Sequence, residues 1–154
     1  MTNDRTPIDR LYDVFSRYSG AGHHFCDFCY SPEEIEHITR TPVAVLDVEH
    51  GRKLLWETSD HWESADVYRH YLPRLLELFG PPWYVEDLYP LHLSETLIAI
   101  GFRQWPIEER AAVLEYLEYV GPEIERSFDE KDRQDWAAGI ASLRRPQSLL
   151  PAGQ

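Results

Sequence analysis

The chain has 154 residues, of which 43% are apolar and 27% charged, so it has enough apolar side chains to form one globular domain. Its 27 acidic residues against 15 basic ones give a formal net charge of −12 at pH 7. This charge repels phosphate groups, so nucleic acids and anionic membrane surfaces are disfavoured as partners. The sequence has no apolar run of the roughly 20 residues that a spanning helix needs and no secretion signal, so we expect a cytoplasmic protein.

Helix starts are predicted on both sides of the segment 23–29, which contains the two cysteines. Thr6-Pro7-Ile8-Asp9 combines a hydroxyl cap, a proline in the first helical turn and an acid three residues after the cap. Residues 19–22, which include two glycines, are predicted to end this helix. Ser31-Pro32-Glu33-Glu34 repeats the pattern and predicts a short second helix that ends at Thr41-Pro42.

Residues 43–58 fit two different structures. Val43 to Val48 and Lys53 to Thr58 could pair as a short β-hairpin around His50-Gly51. The alternative is a helix with Asp47 as its cap.

Apolar residues recur at helical spacing through the rest of the chain. After Ser64 they predict a helix that ends at Gly80-Pro81-Pro82 and is kinked or broken near Tyr71, because Pro73 lacks an N–H donor. Further helices are predicted over Leu88–Phe102, from Trp105-Pro106 to Gly121-Pro122, and from Asp132 to Leu143, followed by a flexible tail at 144–154. The pattern predicts an all-α, single-domain irregular helical bundle or array over residues 1–143.

The chain has only two cysteines, and they are separated by two residues, which excludes a scaffold of structural disulfides. Thiolates and imidazoles are the ligands that zinc prefers. The predicted structural zinc site consists of Cys26, Cys29, His23 and His37, with His24 and His70 as alternative ligands. The other interpretation is that both cysteines pack as small hydrophobic side chains next to Phe25 and Phe28.

The Cys26-x-x-Cys29 pair is also compatible with a redox dithiol, because a cysteine near a helix start gains thiolate stability. Two features disfavour this interpretation. Ser31, rather than a cysteine, caps the following helix, and the chain lacks the strand–helix–strand pattern of a thioredoxin-like fold.

The sequence contains two other groups of polar residues. The segment 60–63 together with Asp66 and His70 is interpreted as a solvated helix face, since no pocket or partner is visible. The predicted helix at 106–125 carries glutamates that we expect on its outer side, as a solvated face or as a docking surface for a basic protein. These are Glu108, Glu109, Glu115, Glu118, Glu123 and Glu125.

Residues 54–78, the Cys26-x-x-Cys29 pair and the segment 105–113 resemble a family of small uncharacterised bacterial proteins. The most recognisable element is His70-Tyr71-Leu72-Pro73-Arg74, which opens an H-[FY]-L-P-R-x-L-E-L segment. The resemblance implies a bacterial origin and a helix before Trp62, and it supplies no activity or ligand.

Two functions are therefore predicted. The first is a non-enzymatic helical domain that binds a basic protein through its acidic surface, as an immunity or antitoxin-like protein would. The second is a metal- or thiol-dependent enzyme, or a redox or metal sensor, that uses Cys26 and Cys29.

Overall fold

The computed structural model describes residues 5–83 and 90–146. Within these ranges the chain forms seven α-helices, and no β-strand is present. The predicted all-α array is thus confirmed. None of the described helices is long and apolar enough to cross a membrane. The helices are α1 (Pro7–Val14), α2 (Pro32–Arg40), α3 (Val48–Trp56), α4 (Ala65–Phe79), α5 (His92–Ala99), α6 (Ile107–Glu125) and α7 (Glu130–Arg144).

Side-chain caps determine where α1 and α2 begin. The Thr6 hydroxyl accepts the Asp9 N–H at 3.2 Å, and the Asp9 carboxylate accepts the Thr6 N–H at 3.2 Å. Ser31 and Glu34 form the same reciprocal pair before α2. Each pair satisfies two backbone donors that the helix itself leaves unpaired. Both predicted helix starts are confirmed.

The segment 43–58 does not form the alternative hairpin. Val43–Val45 is a 3₁₀ turn, and the Asp47 carboxylate caps α3 by accepting the His50 N–H at 3.1 Å. The buried residues of α3 are Gly51, Leu54 and Leu55, which are spaced for one face of a helix. The β interpretation is wrong because the cap and this one-sided burial both favour a helix.

Two prolines lie inside helices instead of ending them. Pro73 is buried in the middle of the continuous helix α4, so the predicted break near Tyr71 is wrong. Helix α6 likewise passes through Gly121-Pro122 and ends at Glu125. In both helices buried residues flank the proline, and this tertiary packing outweighs the local loss of one hydrogen bond.

The later helix boundaries differ from the prediction by a few residues. Helix α5 ends at Ala99, soon followed by Gly101, whose φ of 99° is left-handed and suits glycine. The predicted start of this helix, Leu88, is outside the described residues. Asp129 caps α7, and this helix reaches Arg144. Most of the predicted tail at 144–154 is outside the described residues.

One connected hydrophobic core contains side chains from all seven helices. Helix α1 packs against α6 and α4, α3 packs against α4, and α7 packs against both α5 and α6. The segments before α2 and after α3 enter the same core through Phe25, Tyr30 and Trp62. This arrangement brings the cysteine-containing segment next to the end of α3.

Candidate functional site

Cys26 and Cys29 lie at the two ends of a tight turn between α1 and α2. The backbone N–H groups of Cys29 and Tyr30 both donate to the Cys26 carbonyl at 3.1 Å. A turn closed in this way keeps the two Cα atoms within about 7 Å, a separation that a disulfide can bridge. The buried rings of Phe25 and Tyr30 pack with their centroids 5.5 Å apart and attach the turn to the core. Both cysteines are free thiols, and Cys29 is exposed.

The two thiols differ in acidity. A hydrogen bond from the Cys29 thiol lowers the pKa of Cys26, and the backbone N–H groups of Cys29 and Phe28 lower it further. The same contact between the thiols raises the pKa of Cys29. The lower pKa gives Cys26 the larger thiolate fraction of the two at neutral pH, and the thiolate is the nucleophilic form.

A small cavity of about 10 Å³ lies on the inner side of the turn, where His23, Cys26, Glu57 and His61 contribute to its lining. The His23 ring stacks on Trp62 with 5.4 Å between centroids. Within the described chain, His23 Nδ1 and Trp62 Nε1 are buried and lack a hydrogen-bond partner. Burial also lowers the pKa of His23, which favours its neutral form. His61 Nδ1 lies 2.7 Å from a carboxylate oxygen of Glu57.

A groove of about 380 Å³ begins at Cys29 on the outer side of the turn, and its walls include Tyr30, Lys53 and Trp56. The Trp56 side chain is 38% exposed. Phe28, within the turn itself, is 98% exposed. Large exposed aromatic rings are typical of surfaces that contact another polypeptide.

A second group of potential ligands lies where α2 is followed by α3. Asp47 Oδ1 is 2.7 Å from His37 Nε2, and Asp47 Oδ2 is 2.6 Å from His50 Nδ1. In the described part of the chain, these three residues are the group that could hold a metal ion. Their ligand atoms all lie within 4.8 Å of one another. We call them the histidine–aspartate cluster.

Burial alone would raise the pKa of Asp47. Hydrogen bonds from His37, from the backbone N–H of His50 and from the His50 ring outweigh this effect and lower the pKa. The carboxylate between the two imidazoles is therefore ionised over the whole physiological pH range.

The structure separates the predicted zinc ligands. His37 belongs to the histidine–aspartate cluster, whereas His23 lines the small cavity with Cys26. His24 is exposed, and His70 Nδ1 lies 2.9 Å from a backbone carbonyl oxygen. Among residues 5–83 and 90–146, the two thiols do not belong to a group of three converging metal ligands. Zinc binding at the thiols stays a prediction.

The sequence predicts Asp47 as a helix cap and does not predict its contact with His37. The spacing contains a signal for this contact, because Glu34-x-x-His37 on α2 and Asp47-x-x-His50 at the start of α3 are two similar acid–histidine pairs. Residues three apart lie on one face of a helix. Two such pairs on consecutive helices indicate that both faces can meet.

The acidic side of α6 is less exposed than predicted. Glu109 is only 1% exposed and bonds to Tyr18 at 2.6 Å and Arg69 at 3.1 Å, so its assignment to the outer side is wrong. A buried carboxylate requires such partners. Glu115 and Glu118 are exposed, but each forms an ion pair with an arginine.

In comparison with known proteins, the chain matches no family model, no curated protein and no solved structure at a significant level. The resemblance that rests on Cys26-x-x-Cys29 and on residues 54–78 stays a prediction.

Proposed function

We propose that this protein is a thiol–disulfide exchange protein with Cys26 and Cys29 as its redox pair. The closed turn is the observation that carries the proposal, since it keeps both cysteines together. The lower pKa of Cys26 supports the same assignment. A redox dithiol needs one thiol that ionises readily and a second thiol close enough to form the disulfide.

The reaction follows from the different acidity of the thiols. The Cys26 thiolate attacks one sulfur of a substrate disulfide, a mixed disulfide forms, and the other substrate sulfur leaves as a thiolate. Cys29 then loses its proton to solvent and attacks the Cys26 sulfur. The Cys26–Cys29 bond forms, and the second substrate thiolate leaves. The substrate has gained two electrons, and a thiol reductant returns the pair to its reduced state.

The surroundings of the turn favour a disulfide carried by a polypeptide. Phe28 is almost completely exposed between the two cysteines, and the groove beside Cys29 contains the partly exposed Trp56. Both rings offer apolar contact area next to the reacting sulfurs.

The helix start at Ser31 is not needed to stabilise a thiolate at Cys26. Helix α2 begins at Pro32, after the turn, so its N-terminus does not supply the main stabilisation of a thiolate. The first contribution at Cys26 comes from the Cys29 thiol, and the next ones come from turn backbone groups. A dithiol of this kind does not depend on a thioredoxin-like fold.

The alternative function is binding of a basic protein, as in an immunity or antitoxin-like protein. The net charge of −12 favours it. The contacts support it less, because Glu109 is buried and the carboxylates of Glu115 and Glu118 already have cationic partners. A pull-down from the host at low and moderate salt tests this alternative.

The redox proposal is tested with chelator-treated protein in buffers of defined glutathione ratio, followed by a count of free thiols. We expect both thiols to disappear in one two-electron transition. The Cys26→Ser and Cys29→Ser variants should show no internal disulfide. Thiols that stay reduced in buffers as oxidising as about −180 mV would contradict the function.

A trapping experiment tests the order of attack. With a peptide disulfide, Cys29→Ser should accumulate a mixed disulfide at Cys26, because the second thiol is missing. Cys26→Ser should react more slowly, since the backbone N–H groups that lower the pKa of Cys26 do not act on Cys29. Equal trapping rates would contradict the role of Cys26 as the attacking thiol.

A further inference from the structure

We infer that His37, Asp47 and His50 form a binding site for a divalent transition-metal ion of the Zn²⁺ type. Two imidazoles and one carboxylate are suitable ligands for such an ion. Their atoms already converge, with the two ring nitrogens 2.7 and 2.6 Å from the two oxygens of Asp47. A site with three protein ligands leaves a coordination position for water or a small anion.

Two helices hold these ligands in place. His37 is in the last turn of α2, while Asp47 precedes the first residue of α3 and His50 lies in its first turn. The buried residues Ile38 and Leu54 anchor α2 and α3 in the core. The Asp47 carboxylate is oriented further by the His50 backbone N–H at 3.1 Å. The three ligands therefore already face one another.

A second carboxylate supports His50 from its far side. Glu34 Oε2 lies 3.5 Å from His50 Nε2 and 2.6 Å from Lys53 Nζ. A metal-binding histidine typically directs its other ring nitrogen toward a carboxylate, which fixes the tautomer. Here a proton on Nε2 would face Glu34 and leave the Nδ1 lone pair available to the metal. Each nitrogen of His50 then has a favourable partner.

The site is open to solvent on one side. The side chains of His37 and Asp47 are 49% and 41% exposed, whereas that of His50 is 16% exposed. An ion can therefore reach the three ligands without unfolding of α2 or α3, and water can complete its coordination. None of the three ligands lines the groove at Cys29 or the cavity at Cys26, so this site shares no ligand with the proposed redox pair.

The experiment is a calorimetric titration with Zn²⁺ of tag-free protein that carries Cys26→Ser and Cys29→Ser. One ion per chain is the expected stoichiometry. His37→Ala and His50→Ala should each weaken binding at least about tenfold, and Glu34→Gln should weaken it by about 10- to 100-fold. His24→Ala is the matched control, since His24 is exposed and lies outside the cluster, and it should bind as before.

Co²⁺ provides a second readout on the wild-type chain if the cysteine-free variant or His50→Ala does not fold. We expect visible d–d bands that His37→Ala abolishes, without the sulfur-to-cobalt charge-transfer band that thiolate ligands produce. Absence of binding to folded cysteine-free protein, or unchanged binding by His37→Ala, would overturn the inference. A charge-transfer band with no response to His37→Ala would overturn it as well. Loss of thiol exchange with intact Zn²⁺ binding would contradict only the proposed function.

Discussion

Tyr18 donates a hydrogen bond to the Glu109 carboxylate at 2.6 Å, although 91 residues separate them in the chain. Burial and this bond raise the pKa of Tyr18. Arg69, on α4, donates to the same carboxylate at 3.1 Å, and its guanidinium lies 4.7 Å from the centre of the Trp105 ring. Tyr18 follows α1 and Glu109 is in α6, so this polar cluster connects three helices around one buried charge.

Replacement of this carboxylate tests its importance for the fold. Glu109→Gln removes the buried negative charge and leaves Arg69, which is 15% exposed, with only the more distant and exposed carboxylate of Asp66 at 3.7 Å. We expect the free energy of unfolding to fall by about 3 kcal/mol, as when one partner of a buried ion pair is removed. Urea unfolding followed by circular dichroism measures this change.

Glu108→Gln is the matched control, because Glu108 is the preceding residue and is exposed. Its effect should stay within about 0.5 kcal/mol. A comparable loss in both variants would mean that the net charge of the helix, and not the buried cluster, determines the result.

Local signals made the helix starts predictable. The caps at Thr6, Ser31 and Asp47 each depend on a side chain and a backbone N–H three residues later, so a short window of sequence contains the whole interaction. The position of the cysteine pair before α2 was predictable for the same reason.

The surroundings of Glu109 could not be predicted in this way. Its position on α6 is polar by local pattern, and only tertiary packing brings Tyr18 and Arg69 to it. The partner of His37 has a similar origin, since Asp47 is the cap of the next helix. Spacing along one helix shows which residues share a face, but it does not show which face of another helix they meet.

A buried hydroxyl between α6 and α4 provides a second stability test. The Tyr116 hydroxyl donates to the Leu76 carbonyl at 2.6 Å, and this carbonyl also accepts the Gly80 N–H at 3.1 Å. Tyr116→Phe should lower the free energy of unfolding by about 1 kcal/mol, because one net hydrogen bond is lost while the carbonyl keeps a partner. Tyr119→Phe, at a position that is 66% exposed, should be nearly neutral under the same urea titration. Equal stability of both variants would show that the buried bond contributes nothing net.

We expect the cap of α2 to contribute to the stability of the whole domain. Ser31→Ala removes the oxygen that accepts the Glu34 N–H at 3.1 Å, which should cost about 1 kcal/mol. For a chain of this size the midpoint of thermal unfolding should fall by about 2–4 °C. Ser31→Thr keeps the hydroxyl and should recover most of this loss. If the unfolding midpoint of Ser31→Thr is as low as that of Ser31→Ala, the effect comes from packing around Ser31 instead.

The contact between the two thiols predicts a pH effect of defined sign. The pKa of Cys26 is lowered first by the Cys29 thiol, so Cys29→Ala should move the pH profile of Cys26 alkylation upward. The backbone N–H groups of the turn remain and should still lower the pKa of Cys26. Because a higher pKa lowers the thiolate fraction, the alkylation rate of Cys26 at pH 7 should fall.

Iodoacetamide labelling, with mass spectrometry of the peptide that contains Cys26, measures this rate separately from any reaction of Cys29. Cys29→Ser is the matched variant, since its hydroxyl keeps a donor at the same position and should shift the profile less than alanine does. If the alanine and wild-type profiles coincide, the Cys29 thiol does not stabilise the Cys26 thiolate. The reactivity of Cys26 would then have to come from the backbone of the turn alone, and the coupling between the two thiols would be excluded.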